Sequence, residues 1–263
     1  MDASRYALLL AYDGTRFHGY ARQRGRRTVQ GTLEETLAML LRESILTACA
    51  GRTDAGVHAA GQVASFDARA EIDLEWLQRR INRLLAPEVS IRAAVVAPGE
   101  FDARFSAKRR SYEYRIYGGP ARDPFADRFA LWEPRPLDAG AMHEASQVLV
   151  GEHDFSSFCR DNRRSLVRRI RLARVRSARD GRTTIAIAGD SFCHQMVRSI
   201  TGCLIDVGLG KRPPSWMADV LEAKARQAAK VSIAPARGLT LMRVVYRPDP
   251  FGGDRTKGMP GAS

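Results

Sequence analysis

The chain has 263 residues, 44% of them hydrophobic, and a net charge of +13. That length suits one large or two modest domains with a sizeable core. No run is apolar enough to span a bilayer, and Met1-Asp2-Ala3-Ser4-Arg5 lacks the basic-then-apolar order of a secretory signal, so a soluble, cytoplasmic protein is expected. Most of the charge is arginine, clustered at residues 22–27, 108–110 and 160–176; a planar guanidinium matches phosphate, so a nucleic acid is favoured as partner over an arginine-rich proteome.

Cys49, Cys159, Cys193 and Cys203 form no Cys-x-x-Cys pair and have no zinc-spaced histidines beside them. They read as small buried hydrophobes rather than ligands or disulfides. With few, scattered histidines, no protein-bound metal is expected.

In chain order, residues 6–12 read as a buried strand that ends at the turn signal Asp13-Gly14. A loop of mixed aromatic and basic residues, Arg16, Phe17, His18, Gly19 and Tyr20 among them, follows to Arg27. It suits RNA, whose bases stack on aromatics, and equally suits a solvated loop. Thr32-Leu33-Glu34-Glu35 reads as a capping box opening a helix with Leu33, Leu37, Leu40 and Leu41 on one face. Strands are expected at 45–50 and 62–66. Asp73 caps a second helix that Pro87 stops, and 89–95 alternates as a strand. This β-α-β-β-α-β order is that of the ferredoxin-like split unit.

After an irregular bridge at 101–107, residues 110–117 alternate, with Tyr112, Tyr114 and Ile116 on one face. A Pro-rich loop runs to Pro136, Asp138 caps a helix, and 151–158 reads as a polar loop with two aromatics. Strands at 167–177 and 183–188 precede a helix read from Ser191 to about Val207, with His194 and Arg198 one turn apart. A short helix at 216–224 and a strand at 239–246 complete a second β-α-β-β-α-β order. The expected class is α+β: two ferredoxin-like halves with antiparallel sheets, residues 1–106 and 107–247, then a disordered tail at 248–263.

Gly51-Arg52-Thr53-Asp54-Ala55-Gly56-Val57-His58-Ala59 lies between two of these strands and gathers a carboxylate, a guanidinium and an imidazole. An Asp flanked by glycines is ordinarily a turn former bonded to its own backbone. The loop alone does not separate that reading from a catalytic one.

Several stretches are shared, in order, with one family. They are Tyr12-Asp13-Gly14-Thr15-Arg16-Phe17-His18-Gly19, Thr28-Val29-Gln30-Gly31-Thr32-Leu33-Glu34, the 51–59 loop, and Phe105-Ser106-Ala107 with Tyr112 and Tyr114. Gly151-Glu152-His153-Asp154-Phe155-Ser156-Ser157-Phe158, Met196-Val197-Arg198 and Gly238-Leu239 complete them. From about residue 6 to residue 246 the chain resembles TruA-type tRNA pseudouridine synthases. The resemblance implies a cofactor-free homodimer with a basic cleft between its two lobes. It also implies isomerisation of uridine to pseudouridine in the tRNA anticodon arm, at tRNA positions 38, 39 and 40. The bond from ribose C1′ to N1 breaks, the base turns, and C1′ joins C5.

On that resemblance Asp54 is the catalytic carboxylate, able to stabilise or attack the positive charge developing at C1′. Tyr112 matches the tyrosine that stacks on the extracted base; the plainer alternative, a core aromatic, suits Tyr114 and Tyr117 better. Arg198 matches the arginine that holds the aspartate, the alternative being a surface residue at a helix edge. Arg52 resembles the arginine that refills the gap left in the RNA stack. His58 has two readings, a contact with RNA and, favoured over it, a hydrogen bond that orients the loop. Leu239 would line the base pocket or be an ordinary strand residue. Gly19-Tyr20-Ala21, Gln195, Ser199 and 84–88 depart from the family pattern, which bears on RNA contacts rather than on Asp54, Tyr112 or Arg198. Rival readings are a non-catalytic RNA-binding protein, which lacks the expected aromatic signature, and a nucleoside glycosidase, which needs no basic surface.

Overall fold

Tyr6, Ala7, Leu8, Leu9 and Leu10 are all buried, because the strand that carries them is covered on both faces and paired on both edges. The computed structural model describes residues 3–160, 165–226 and 231–252. Its elements are β1 (Ser4–Tyr12), α1 (Val29–Leu41), β2 (Ala48–Cys49), β3 (His58–Ala68), α2 (Leu74–Leu85), β4 (Val89–Val96) and β5 (Arg109–Tyr117). They continue with β6 (Leu131–Trp132), α3 (Ala139–Gln147), β7 (Gly151–Asp154), β8 (Val167–Ser177), β9 (Arg182–Gly189), α4 (Met196–Gly208), α5 (Trp216–Glu222) and β10 (Leu239–Val245). Among the described residues no helix is long and apolar enough to cross a membrane.

The expected α+β class holds. The strands form one sheet ordered β4-β1-β3-β10-β5-β9-β8-β7, with β2 added to β3 and β6 to β5. Within it, β4-β1-β3-β2 and β10-β5-β9-β8 each repeat the ferredoxin-like order. The two groups meet through a short parallel pairing of β10 with β3, Thr240 opposite His58 and Leu241 opposite Ala59. The 51–57 loop therefore enters β3 at the junction of the two groups, which sets the position of the site.

Local signals were read well where one residue decides a helix start. Asp73 Oδ1 accepts from Trp76 N at 3.0 Å, and Asp138 Oδ1 from Ala141 N at 2.9 Å. The capping box at Thr32 is a correction. Helix α1 begins earlier, capped by Thr28, whose Oγ1 accepts from Gly31 N at 3.2 Å. Glu34 is instead buried and accepts from Thr47 N at 2.9 Å and Arg22 Nε at 3.0 Å.

Three other expectations change. The 151–158 stretch is not a loop; it forms β7 and a short 3-10 turn, with Phe155 and Phe158 buried in the core. Helix α4 starts at Met196 after Gln195 takes a left-handed φ of 64°, so His194 lies in the preceding loop, off the helix. Cys159 and Cys193 are not separate hydrophobes but a disulfide, Cα atoms 5.8 Å apart, whereas Cys49 and Cys203 are free. The tail expected after Pro248 falls largely outside the described residues.

Candidate active site

The 51–57 loop is held from below by buried polar groups. Gln62, fully buried on β3, donates to Gly51 O at 2.7 Å. Arg110 donates to Ala50 O twice, from Nε at 3.1 Å and Nη2 at 2.8 Å. Tyr12 and Thr53 share a 2.8 Å hydroxyl bond, and Tyr20 N donates to Thr53 O at 3.0 Å. A second segment, residues 13–20, presses against the loop closely enough to require glycine. A side chain at Gly14 would begin 2.0 Å from Val57 O, and one at Gly19, where φ is +92°, 2.9 Å from Thr53 O. Phe17 and Tyr20 of that segment are buried, so its aromatics belong to the core and not to an RNA-stacking surface, correcting one of the two readings of the loop. His58 orients this packing as expected: its Nδ1 lies 3.1 Å from the Gly14 N–H and 3.2 Å from Asp13 Oδ1.

Asp54 stands at the top of this scaffold with its side chain 22% exposed. Arg198, on the first turn of α4, donates from Nη1 to Asp54 Oδ2 at 3.0 Å and from Nε to Ala234 O at 2.9 Å. The two donors leave different edges of the planar guanidinium, so anchoring Nε on Ala234 O fixes the plane in which Nη1 holds the carboxylate. His194 Nε2 lies 3.4 Å from the other oxygen, Oδ1. The carboxylate is thus flanked by basic groups on both oxygens and open to solvent between them, which suits a group that must meet an electron-poor carbon while ionised.

Tyr112 comes from β5, buried, its ring edge-on to Phe192 at 5.1 Å. Its hydroxyl faces the loop: a side chain at Gly51 would begin 3.6 Å from it. Burial, opposed by Arg110 and reinforced by Cys49 and then Asp54, pushes its pKa up to about 12, so the phenol stays a neutral hydrogen-bond donor. Arg52 is exposed on the loop, and Leu239 is buried at the start of β10 opposite Tyr114. Tyr114 is fully buried with its hydroxyl bonded to Pro235 O at 2.9 Å. The structure therefore gathers Asp54 and Arg198, sets Tyr112 beneath the same loop, and leaves Arg52 at the surface and Leu239 in the sheet.

Two residues of the site were missed in the sequence. The spacing of His194 puts it on the helix beside Arg198, and nothing in that spacing points to Asp54. Arg110 was grouped with a phosphate-binding cluster, yet it is buried and bonds the carbonyls of Ala50, Arg104, Ala107 and Asp190. Its even spacing with Tyr112 and Tyr114, which places it on the buried face of β5, was the available signal.

The family model described as tRNA pseudouridine synthase matches residues 9–106 and 145–247. The chain belongs to the tRNA pseudouridine synthase family. Enzymes of this family are isomerases that convert uridine to pseudouridine. A protein named tRNA pseudouridine synthase A from Frankia casuarinae is 46% identical over 249 residues, covering 94% of this chain and 90% of its own. Proteins of the same name from Pseudomonas aeruginosa and Pseudothermotoga lettingae are 43% and 40% identical, covering 92% of this chain and 86% and 99% of their own lengths. Asp54 and Arg198 lie one in each matched segment of this synthase-family chain, and Tyr112 lies between the segments.

Proposed function

We propose that this chain forms pseudouridine in the anticodon stem-loop of tRNA, at tRNA positions 38, 39 and 40, as a cytoplasmic homodimer that needs no cofactor. The observation that carries the reading is the 3.0 Å pair of Asp54 with Arg198, partly buried and joining the loop before β3 to helix α4. The reaction changes no composition: N1–C1′ breaks, C5–C1′ forms, the C5 proton leaves and N1 gains one. Asp54 either attacks C1′ or removes a sugar proton; in both routes it acts as a carboxylate, and Arg198 holds that carboxylate in place. The target uridine leaves the RNA stack to reach Asp54. Tyr112 stacks on the extracted base and offers its neutral hydroxyl, Leu239 lines the apolar side, and Arg52 fills the vacated gap.

The test is to incubate the protein with unmodified tRNA, without added metal or cofactor, and to map pseudouridine by the reagent chemistry specific to its C–C glycosidic bond. Product at positions 38 to 40 is expected. Product confined to another arm would overturn the site assignment, and no product on any tRNA would overturn the enzyme reading.

A further inference from the structure

We infer that Phe105, with the guanidinium of Arg104 over its ring, is a fixed platform on which an unpaired base of the RNA substrate stacks beside the Asp54 loop. This rests on the proposed function, in which RNA lies across that loop. Phe105 is 79% exposed, whereas Phe17, Phe101, Phe155 and Phe158 are buried. A single exposed apolar residue is ordinary in itself. What is unusual is the rigidity of the backbone that presents it.

Every backbone N–H from 102 to 106 has a partner. Asp102 N donates to Ser106 Oγ at 3.1 Å, and Ala103 N donates to the buried Ser65 Oγ at 3.0 Å. Arg104 N and Phe105 N both donate to Asp102 Oδ1, at 2.7 and 2.8 Å, and Ser106 N donates to Asp102 O at 3.0 Å. Ala103 O accepts from the Tyr246 hydroxyl at 2.7 Å. The turn is therefore locked on both sides while its largest side chain stays in water. The backbone that carries the ring has lost its freedom before any ligand arrives, which lowers the part of the entropic penalty of stacking that comes from ordering the loop.

The platform is also joined to the catalytic loop through one nitrogen. Arg110 Nη2 donates to Arg104 O at 2.7 Å and to Ala50 O at 2.8 Å, so the two loops are fixed to each other at the residue before Gly51. The Arg104 guanidinium lies over the Phe105 ring, 5.3 Å from its centre, and sets a positive charge beside it. Arg52 is exposed on the adjoining loop. A planar apolar ring with one guanidinium over it and a second exposed arginine, Arg52, on the loop that Arg110 ties to it fits a nucleobase flanked by phosphates. It fits a second protein chain less well, since that chain would have to bury the same charges.

The test compares Phe105→Ala, Phe105→Leu and Phe105→Trp in the full chain, measuring affinity for an unmodified tRNA transcript at fixed salt, with thermal melts to confirm folding. Stacking predicts that Ala and Leu weaken binding by about five- to hundredfold and that Trp restores it, because Leu supplies apolar area without a flat face. Equal affinities across the series would overturn the platform. Loss of a dimer by sedimentation in Phe105→Ala, with tRNA affinity unchanged, would overturn it in favour of a contact between copies. The wild-type turnover assay separates the two readings. Pseudouridine formation with a flat series defeats the platform alone; tRNA binding without product, with the series as predicted, defeats only the proposed function.

Discussion

Arg198 Nη1 meets Asp54 Oδ2 at 3.0 Å across 144 residues of chain, while the same side chain donates from Nε to Ala234 O. The backbones of Arg198 and Ala234 are themselves bonded, Ala234 N to Arg198 O at 3.0 Å, so the guanidinium is aimed by its own helix and by the segment before β10. The carboxylate is held where a substrate can still reach it.

Asp54→Asn keeps the size and the hydrogen-bonding shape but removes the charge. Single-turnover rates should fall by roughly 10³-fold or more, as they do when a nucleophile is deleted. Affinity for tRNA should stay within a few-fold. An ordinary rate in this variant would overturn the catalytic assignment.

Arg198→Lys keeps the charge but not the fork. A lysine cannot reach Ala234 O and Asp54 together, so the carboxylate should lose its fixed orientation. The expected loss is about ten- to hundredfold in turnover, the size of a charge-assisted hydrogen bond, with KM little changed. A change confined to KM would instead place Arg198 among the RNA contacts.

Arg110→Met should destabilise the protein more than it alters tRNA contacts. The guanidinium is buried, and its removal leaves the carbonyls of Ala50, Arg104, Ala107 and Asp190 short of donors. A loss of about 3 kcal/mol is expected, seen as a midpoint lowered by about 6–12 °C in a thermal melt. An unchanged midpoint would show that water satisfies those carbonyls.

His58 gives the fold a pH dependence. Burial lowers its pKa, against the pull of Asp13 and of the backbone at Arg237 and Arg128. Neutral His58 therefore favours the folded state: its contribution is full above the ordinary value of about 6.5 and is lost as pH falls below that toward the folded value. In His58→Asn the stability deficit relative to wild type, read by denaturant titration, should narrow between pH 7.5 and 5.5. A deficit that does not vary with pH would show that the imidazole carries no such linkage.

Much of the fold was legible because its signals are local. Asp73 and Asp138 cap helices with their own side chains, and Tyr112, Tyr114 and Ile116 alternate because successive strand residues face opposite ways. Local signals also misled. Thr32 and Glu35 have capping-box spacing, but Thr28 caps α1 first, and the burial of Glu34 depends on Thr47 and Arg22 from outside the helix. His194 fits a helical turn with Arg198 until Gln195 takes a left-handed conformation that spacing does not encode.

The sequence by itself determined the order of most elements, the α+β class, the net positive charge and the family resemblance. Each rests on residues close together in the chain or on motifs matched one at a time. Only the tertiary structure decided that β10 pairs with β3, that Cys159 meets Cys193, that Arg110 turns inward and that Arg198 and His194 flank Asp54. These contacts join groups tens to more than a hundred residues apart. Apart from the disulfide, which lies within the second half, they form only when the two halves of the sheet meet, and periodicity, which reports a residue's immediate neighbours, does not specify that meeting.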